Sequence, residues 1–179
     1  MLQLIIPDLE TFDESKSEFI LLKGKPIQLE HSLVSISKWE SKWNKPFLSK
    51  NKKTIEETID YIKNMTITQN VPLDIYGNIT KDNINVVSEY IAAPMSATWF
   101  NNTKEEPSKE IITSEIIYYW MITYNIPFEC QKWHLNRLLT LIKVCSSKNS
   151  KLKKMSRSET INRNKELNNR RRAQLNSNG

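Results

Sequence analysis

A cysteine and a histidine in the second half of the chain have the spacing of metal ligands. Cys130 and His134 are four residues apart, which places both side chains on one face of an α-helix. Thiolate and imidazole groups bind zinc, but a structural zinc site needs four ligands. The chain has one other histidine, His31, and one other cysteine, Cys145, about 22 Å further along the same predicted helix. We therefore predict no metal site and no cofactor.

Two carboxylates in apolar surroundings are candidates for acid–base chemistry. Glu115 precedes Ile116 and Ile117, and burial among them would raise the pKa of its carboxyl group. Glu129 follows Phe128. No Gly-x-Ser-x-Gly nucleophile elbow accompanies them, and three glycines in 179 residues argue against glycine-rich phosphate loops. Because no set of acid, base and nucleophile can be assembled, we predict that the protein is not an enzyme.

The positive charge of the chain is concentrated in its C-terminal tail. From Lys148 onward there are ten Lys and Arg and two acidic residues, which leaves sixteen Lys and Arg and eighteen acidic residues before it. The net charge of +6 is therefore a property of the tail. The candidate partner- or polyanion-binding residues are Lys151, Lys153, Lys154, Arg157, Ile161, Arg163, Leu167, Arg170, Arg171 and Arg172.

Three interpretations of the tail follow from this pattern. Its Lys and Arg side chains could contact phosphates, with a salt-dependent affinity. However, no aromatic residue follows Trp133, so the tail has no aromatic ring that can stack on a nucleobase. Its apolar residues could anchor a segment that folds on a protein partner. It could also be a solvated helix. The lack of stacking groups favours a protein partner or a solvated helix, and leaves nucleic acid open as a weaker alternative.

The remaining sequence predicts the elements that carry these residues. The apolar runs "LQLII", "EFILL" and "PIQLEH" indicate a small antiparallel sheet in the first thirty residues. From "HSLVSISKWESKW" onward the apolar residues recur with the helical period of 3.6, which predicts about five helices. One of these helices has capping-box spacing at Thr54 and Glu57. The segments "SEIIYYWMITYN" and "FECQKWHLNRLLTLIKVCS" predict a central long helical hairpin with Ile116 and Leu138 in the core. The predicted fold class is α+β and mostly α, with a basic C-terminal helical tail.

The composition divides the chain into two regions. We expect residues 1–147 to form a single globular α-rich domain with the N-terminal sheet, and residues 148–179 to form a basic linker and a C-terminal helical tail. The N-terminus lacks the basic region and the apolar core of a signal peptide, and no apolar run is long enough to span a membrane. Two cysteines build no disulfide framework, which is typical of a protein made in a reducing cytoplasm.

Several runs of the sequence together resemble one family of phage proteins. They are "LEHSLVSISKWESKWNKPFL", "MSATWF", "SKEIITSEIIYYWMITYNIPFECQKWHLNRLLTLIKVC", "KKMSRSE" and "LNNRRRAQL", and their order covers most of the chain. In these runs the chain is similar to small proteins encoded among the tail genes of tailed bacteriophages and described as tail assembly chaperones.

The resemblance implies a function without a catalytic site. Tail assembly chaperones bind the long tape measure protein, or tail tube subunits, before the tail polymerises. The implied location is the host cytoplasm during assembly, with presence in the virion and homo-oligomerisation left open. The alternatives are a structural virion protein at the tail or head–tail region, and a non-specific nucleic-acid-binding protein that uses the basic tail.

Overall fold

A computed structural model of the protein describes residues 1–13, 17–100, 111–149 and 157–175. The chain forms two compact units, Met1–Cys145 and Ser146–Gly179. The candidate residues Lys151, Lys153 and Lys154 lie outside the described residues.

The N-terminal region contains four short strands in two antiparallel pairs. They are β1 (Leu2–Ile5), β2 (Leu9–Asp13), β3 (Glu18–Leu22) and β4 (Pro26–Leu29). Strand β1 pairs with β4, and β2 pairs with β3. In the first pair, Leu4 lies opposite Ile27 and Leu2 lies opposite Leu29. Leu4, Ile27 and Leu29 are buried, so this pair contributes one face to the core.

Helices make up most of the rest of the described chain. They are α1 (Leu33–Trp43), α2 (Ile55–Met65), α3 (Lys81–Ala92), α4 (Ser114–Thr123), α5 (Leu135–Asn149) and α6 (Arg157–Leu175), with 3-10 helices at Asp74–Asn78 and Phe128–Lys132. The predicted α+β, mostly α fold class with a small N-terminal antiparallel sheet is confirmed. The predicted capping box also forms, because Thr54 and Glu57 exchange hydrogen bonds at the start of α2.

Helix α1 is at the centre of the larger unit, where it packs against α2, α4 and the second 3-10 helix. It buries Leu33, Ile36 and Trp39, which recur every three residues along one side. Burial of each such side chain stabilises the fold by about 1.5–3 kcal/mol. Ser32 caps the N-terminus of the helix, and Asn44 in the left-handed conformation ends it.

The predicted hairpin of two long helices is interrupted in the structure. The segment that starts at Phe128 is a 3-10 helix, and α5 begins only at Leu135. The chain between them is held extended, because His134 forms an antiparallel bridge with Ser32 and the N–H of Leu135 donates to the carbonyl of His31 at 2.7 Å. The expectation that Cys130 shares one helix with His134 and Cys145 is therefore wrong.

The buried side of α4 also differs from the predicted one. Ile117 and Met121 are completely buried, whereas Ile116 is half-buried and Tyr119 is 64% exposed. The seven consecutive residues from Ile116 to Ile122 in α4 are all apolar or aromatic, so the periodicity of the sequence does not select one buried face. The prediction for α5 is confirmed, because Leu138 is completely buried.

Candidate functional site

The pair of strands β2 and β3, which we call the hairpin arm, exposes a cluster of large apolar side chains. Phe12 lies opposite Phe19, and Glu10 lies opposite Leu21, so all four side chains are on one face. The two phenylalanine rings contact edge to face, with centroids 5.1 Å apart. Phe12, Phe19 and Leu21 are 52%, 70% and 53% exposed. We call these three residues the apolar face of the arm.

The opposite face of the arm is more sheltered. Ile20 and Leu22 point to this side and are half-buried, and Leu9, opposite Leu22, is 40% exposed. Among the described residues, neither strand of the arm pairs with a third strand. An isolated two-stranded ribbon is only marginally stable in water, so the arm depends on contacts at its base.

The first of these contacts is a close approach between two backbones. Gly24 follows β3, and a Cβ atom at this position would lie 2.0 Å from the carbonyl oxygen of Ile6 and 2.6 Å from that of Pro7. No side chain fits there without a backbone shift. The N–H of Gly24 donates to Asp8 Oδ1 at 2.6 Å, so the strands entering and leaving the arm are joined directly.

Two asparagine side chains also hold the base of the arm. The Nδ2 group of Asn78, which is buried, donates to the carbonyls of Pro7 and Leu22 at 3.4 Å, one on each side of the arm. The Nδ2 group of Asn83 donates to the carbonyl of Ile5 at 3.2 Å. The 3-10 helix Asp74–Asn78 and helix α3 therefore position the arm.

The second exposed feature is α6, which carries most of the candidate tail residues. Ile161 is 55% exposed and Leu167 is 42% exposed. The guanidinium of Arg170 donates to Glu166 Oε1 at 2.7 Å, as expected for residues four apart on a helix. The other candidate residues with described, exposed side chains are Arg163, Arg171 and Arg172. Arg157 starts the helix, and its side chain lies outside the described residues.

The structure brings the two histidines of the chain together in the core. The rings of His31 and His134 meet edge to face, with centroids 5.0 Å apart. His31 Nδ1 lies 2.6 Å from the hydroxyl of Tyr61. His134 Nε2 lies 3.0 Å from the carbonyl of Tyr90, to which only a protonated nitrogen can donate. The N–H of Asn136 donates to His134 Nδ1 at 3.3 Å, which fixes the neutral tautomer of His134 with its proton on Nε2.

Burial keeps this histidine pair uncharged. It is the main reason that the pKa of His31 is lowered to about 3, and the neighbouring His134 makes a smaller contribution because a second positive charge would be repelled. Burial also lowers the pKa of His134. Through these contacts the pair links the residues before α1 to α2, to α3 and to the start of α5. No group of three or more His, Cys, Asp or Glu side chains able to hold a metal occurs in the described ranges.

The structure also defines the surroundings of Cys130 and Glu115. Burial raises the pKa of the Cys130 thiol, so the group is a neutral packing element at pH 7. Glu115 is exposed at the first turn of α4. A hydrogen bond from the Thr113 side chain lowers the pKa of the Glu115 carboxyl group, contrary to the raised pKa that burial would have caused.

The sequence alone does not predict the apolar face of the arm. The run "EFILL" predicts a strand, but it does not indicate which face of that strand stays uncovered. The available signal is that four consecutive residues, Phe19 to Leu22, are apolar. In a strand such a run places apolar groups on both faces. A two-stranded arm with only one sheltered face then leaves the other in solvent.

No helix among the described residues is long and apolar enough to cross a membrane. No family model, curated protein or solved structure matches the chain.

Proposed function

We propose that the protein is a non-enzymatic assembly factor of a tailed bacteriophage, a tail assembly chaperone that binds the tape measure protein or tail tube subunits. The observation that carries the proposal is the apolar face of the hairpin arm. Phe12, Phe19 and Leu21 form a contiguous group that water contacts over more than half of its surface. Such groups on soluble proteins mark protein interaction sites.

The construction of the arm supports a binding role. A ribbon that needed only to complete the core would place its largest side chains inward. Here the sheltered face carries Ile20 and Leu22, while both phenylalanines are on the exposed face. The close approach at Gly24 and the hydrogen bonds from Asn78 hold this arrangement in place. Exposed aromatic anchors on a fixed support are typical of the energetically dominant residues of protein interfaces.

Helix α6 supplies a second, charged surface. The helix is strongly polar. Its described arginine side chains are exposed, and they are Arg163, Arg170, Arg171 and Arg172. A separate basic helix increases the rate at which a protein meets an acidic partner, an effect that salt reduces. In this proposal α6 contributes to encounter with the partner, and the hairpin arm supplies the apolar contact.

The proposal is tested with tagged protein during phage assembly. We expect it to co-purify with the tape measure protein from infected cells and to be absent from purified virions by mass spectrometry. Substituting Phe12, Phe19 and Leu21 by Ser should abolish co-purification. A matched variant with three exposed apolar residues elsewhere changed to Ser (Ile55, Ile67 and Leu73) should retain it. Abundance of the protein in virions would instead show a structural virion protein.

A further inference from the structure

The loop that joins α1 to α2 is strongly basic. Between residues 44 and 54 it contains four lysines and no acidic residue. A cavity of about 160 Å³ beside this loop is lined by three of the lysines, Lys45, Lys52 and Lys53, and by Ser49 and Asn51. Each of these five side chains carries N–H or O–H donors. The loop therefore surrounds a small space with hydrogen-bond donors and positive charge.

Contacts with the core hold two of these lysines in place. Lys53 Nζ donates to the carbonyl of Phe47 at 2.8 Å. The same nitrogen lies 4.1 Å from the centre of the Phe47 ring and 5.6 Å from that of Trp39, and both rings are buried. The ammonium group of Lys45 pairs with the carboxylate of Glu57. The donors are therefore positioned by buried groups of α1, α2 and the loop itself.

The charge of the cavity is positive even though Glu57 lines it. Glu57 is the one carboxylate among the described residues that form its wall. Lys45 donates to one oxygen of this carboxylate, and the backbone N–H of Thr54 donates to the other at 2.8 Å. These two hydrogen bonds hold the pKa of Glu57 below its ordinary value, so the group is ionised at pH 7. Three ammonium groups and one carboxylate give the cavity a formal charge of +2.

The ammonium group of Lys53 has lost part of its hydration. Burial lowers the pKa of Lys53, an effect that the nearby charge of Glu57 opposes. An ammonium group has three N–H donors, and the carbonyl of Phe47 accepts from one of them. An anion in the cavity would form charge-assisted hydrogen bonds with this group and replace the lost hydration. The surroundings of Lys53 therefore favour an anion over a neutral molecule.

The size and charge of the cavity together indicate the kind of anion. About 160 Å³ is less than the roughly 300–1,000 Å³ of pockets that enclose a whole drug-sized molecule, so the cavity holds one compact group. A phosphate monoester has a charge of about −1.5 to −2 at pH 7, which matches the formal charge of the cavity. A phosphodiester of nucleic acid carries a single negative charge.

We propose that the cavity between Lys45, Lys52 and Lys53 binds a terminal phosphate group, either inorganic phosphate or a phosphate monoester. Ser49 and Asn51 supply further donors. The N-terminus of α2 is not the site, because the capping box of Thr54 and Glu57 already uses N–H groups there. This inference is independent of the proposed function, since it uses neither the hairpin arm nor α6.

Calorimetry of the full-length protein with inorganic phosphate tests the site. We expect saturable binding with a dissociation constant of about 1 mM or below, and at least about fivefold weaker binding of dimethyl phosphate, a monoanionic diester. Lys52→Gln should weaken phosphate binding at least about fivefold. Lys53→Met should do the same while keeping an apolar stem against the buried rings. Lys81→Gln, at an exposed position of α3, is the matched control and should leave binding unchanged.

Chemical labelling provides a second measurement. Bound phosphate raises the pKa of Lys53, so it should slow the acetylation of Lys53 by acetic anhydride at least about twofold and leave that of Lys81 unchanged. Mass spectrometry of tryptic peptides measures both rates. Equal labelling of Lys53 with and without saturating phosphate would overturn the inference, as would equal phosphate affinity of Lys52→Gln and Lys81→Gln.

Two further ligands distinguish the sources of the phosphate group. A phosphoserine peptide that binds more tightly than inorganic phosphate, while its unphosphorylated form does not bind, would support the site and place the phosphate on a protein. Equal affinity of the phosphopeptide and inorganic phosphate would support a site for small phosphates. A blunt DNA duplex without terminal phosphates that binds more tightly than inorganic phosphate, and is weakened by Lys52→Gln, would assign these lysines to nucleic acid and contradict the proposal.

Discussion

The carboxylate of Glu40 in α1 accepts a hydrogen bond from the backbone N–H of Ser114, 74 residues further along the chain, at 2.8 Å. Its other oxygen accepts from the N–H of Phe47 at 2.7 Å. Glu40 is 7% exposed. One buried side chain thus holds both the loop after α1 and the first residue of α4, whose N–H has no partner within its own helix.

Glu40→Gln should therefore destabilise the protein. An amide keeps the shape of the carboxylate but presents an NH2 group to one of the two N–H donors, which leaves that donor unsatisfied. We expect a loss of about 1–3 kcal/mol in the free energy of unfolding by urea. Glu89→Gln, at an exposed position of α3, serves as the control and should change stability by less than about 0.5 kcal/mol. Equal effects of the two substitutions would show that the Glu40 bonds contribute little.

The buried histidines predict a loss of stability in mild acid. The folded-state pKa of His31 is about 3, whereas an unfolded histidine has a pKa of about 6.5. The unfolded chain therefore binds a proton at this site below pH 6.5 that the folded chain does not. Stability is fully present above that pH and falls progressively as the pH decreases toward 3, by about 2 kcal/mol between pH 7 and pH 5.

The histidine prediction is measured by urea unfolding at several pH values. His31→Gln removes the titrating group, so its stability should change less between pH 7 and pH 5 than that of the unmodified protein. His134 contributes in the same direction, because its pKa is also lowered. If the free energy of unfolding changed equally with pH in the two proteins, protonation of His31 would not be the cause of the loss of stability.

The core of α4 provides a comparison between adjacent residues. Ile117 is completely buried and Ile116 is half-buried. Ile117→Ala should cost about 2–5 kcal/mol through lost burial and a cavity, and Leu138→Ala, also at a completely buried position, should cost a similar amount. Ile116→Ala should cost distinctly less than Ile117→Ala in urea unfolding. If Ile116→Ala were the more destabilising of the two substitutions, the buried face of α4 would be the one that the sequence predicts.

The two internal glycines offer a matched test of how the arm is held. Gly24→Ala places a methyl group against the carbonyl oxygens of Ile6 and Pro7, whereas the same change at Gly77 meets no atom within 4 Å. We expect Gly24→Ala to lower the melting temperature and to speed amide hydrogen exchange in β2 and β3. Gly77→Ala should be neutral or slightly stabilising, because it restricts the unfolded chain. Unchanged exchange in Gly24→Ala would mean that the arm is not held at this point.

The parts of the fold that the sequence predicted are those governed by local rules. The sequence predicts the start of α2 at Thr54 and Glu57 because a capping box is a contact within one helical turn. It does not predict the break before Leu135, because that break depends on the pairing of His134 with Ser32, about a hundred residues earlier. The sequence also does not predict that Phe19 is exposed. It depends on which face of β3 the rest of the unit covers, and residue order in the strand carries no such information.

The last prediction separates protein binding from nucleic-acid binding by the tail. If the Lys and Arg side chains of α6 bind duplex DNA, the affinity should fall by about 0.9 log units per log unit of salt concentration for each phosphate contacted. If α6 instead packs on a protein, salt dependence should be shallow, and Ile161→Ala or Leu167→Ala should weaken binding. Both apolar side chains are exposed in the free protein and available for such contact.

We expect DNA binding to be weak and to vanish near about 150 mM salt, while binding to the tape measure protein persists. Fluorescence anisotropy with a labelled duplex and with the labelled partner measures both. The decisive variant is Arg171→Ala with Arg172→Ala, because Arg170 already pairs with Glu166 within the helix. DNA binding that survives physiological salt, is lost in this double variant and is unaffected by Leu167→Ala would assign the tail to nucleic acid. In that case the three candidate lysines before α6 would add further phosphate contacts and steepen the salt dependence.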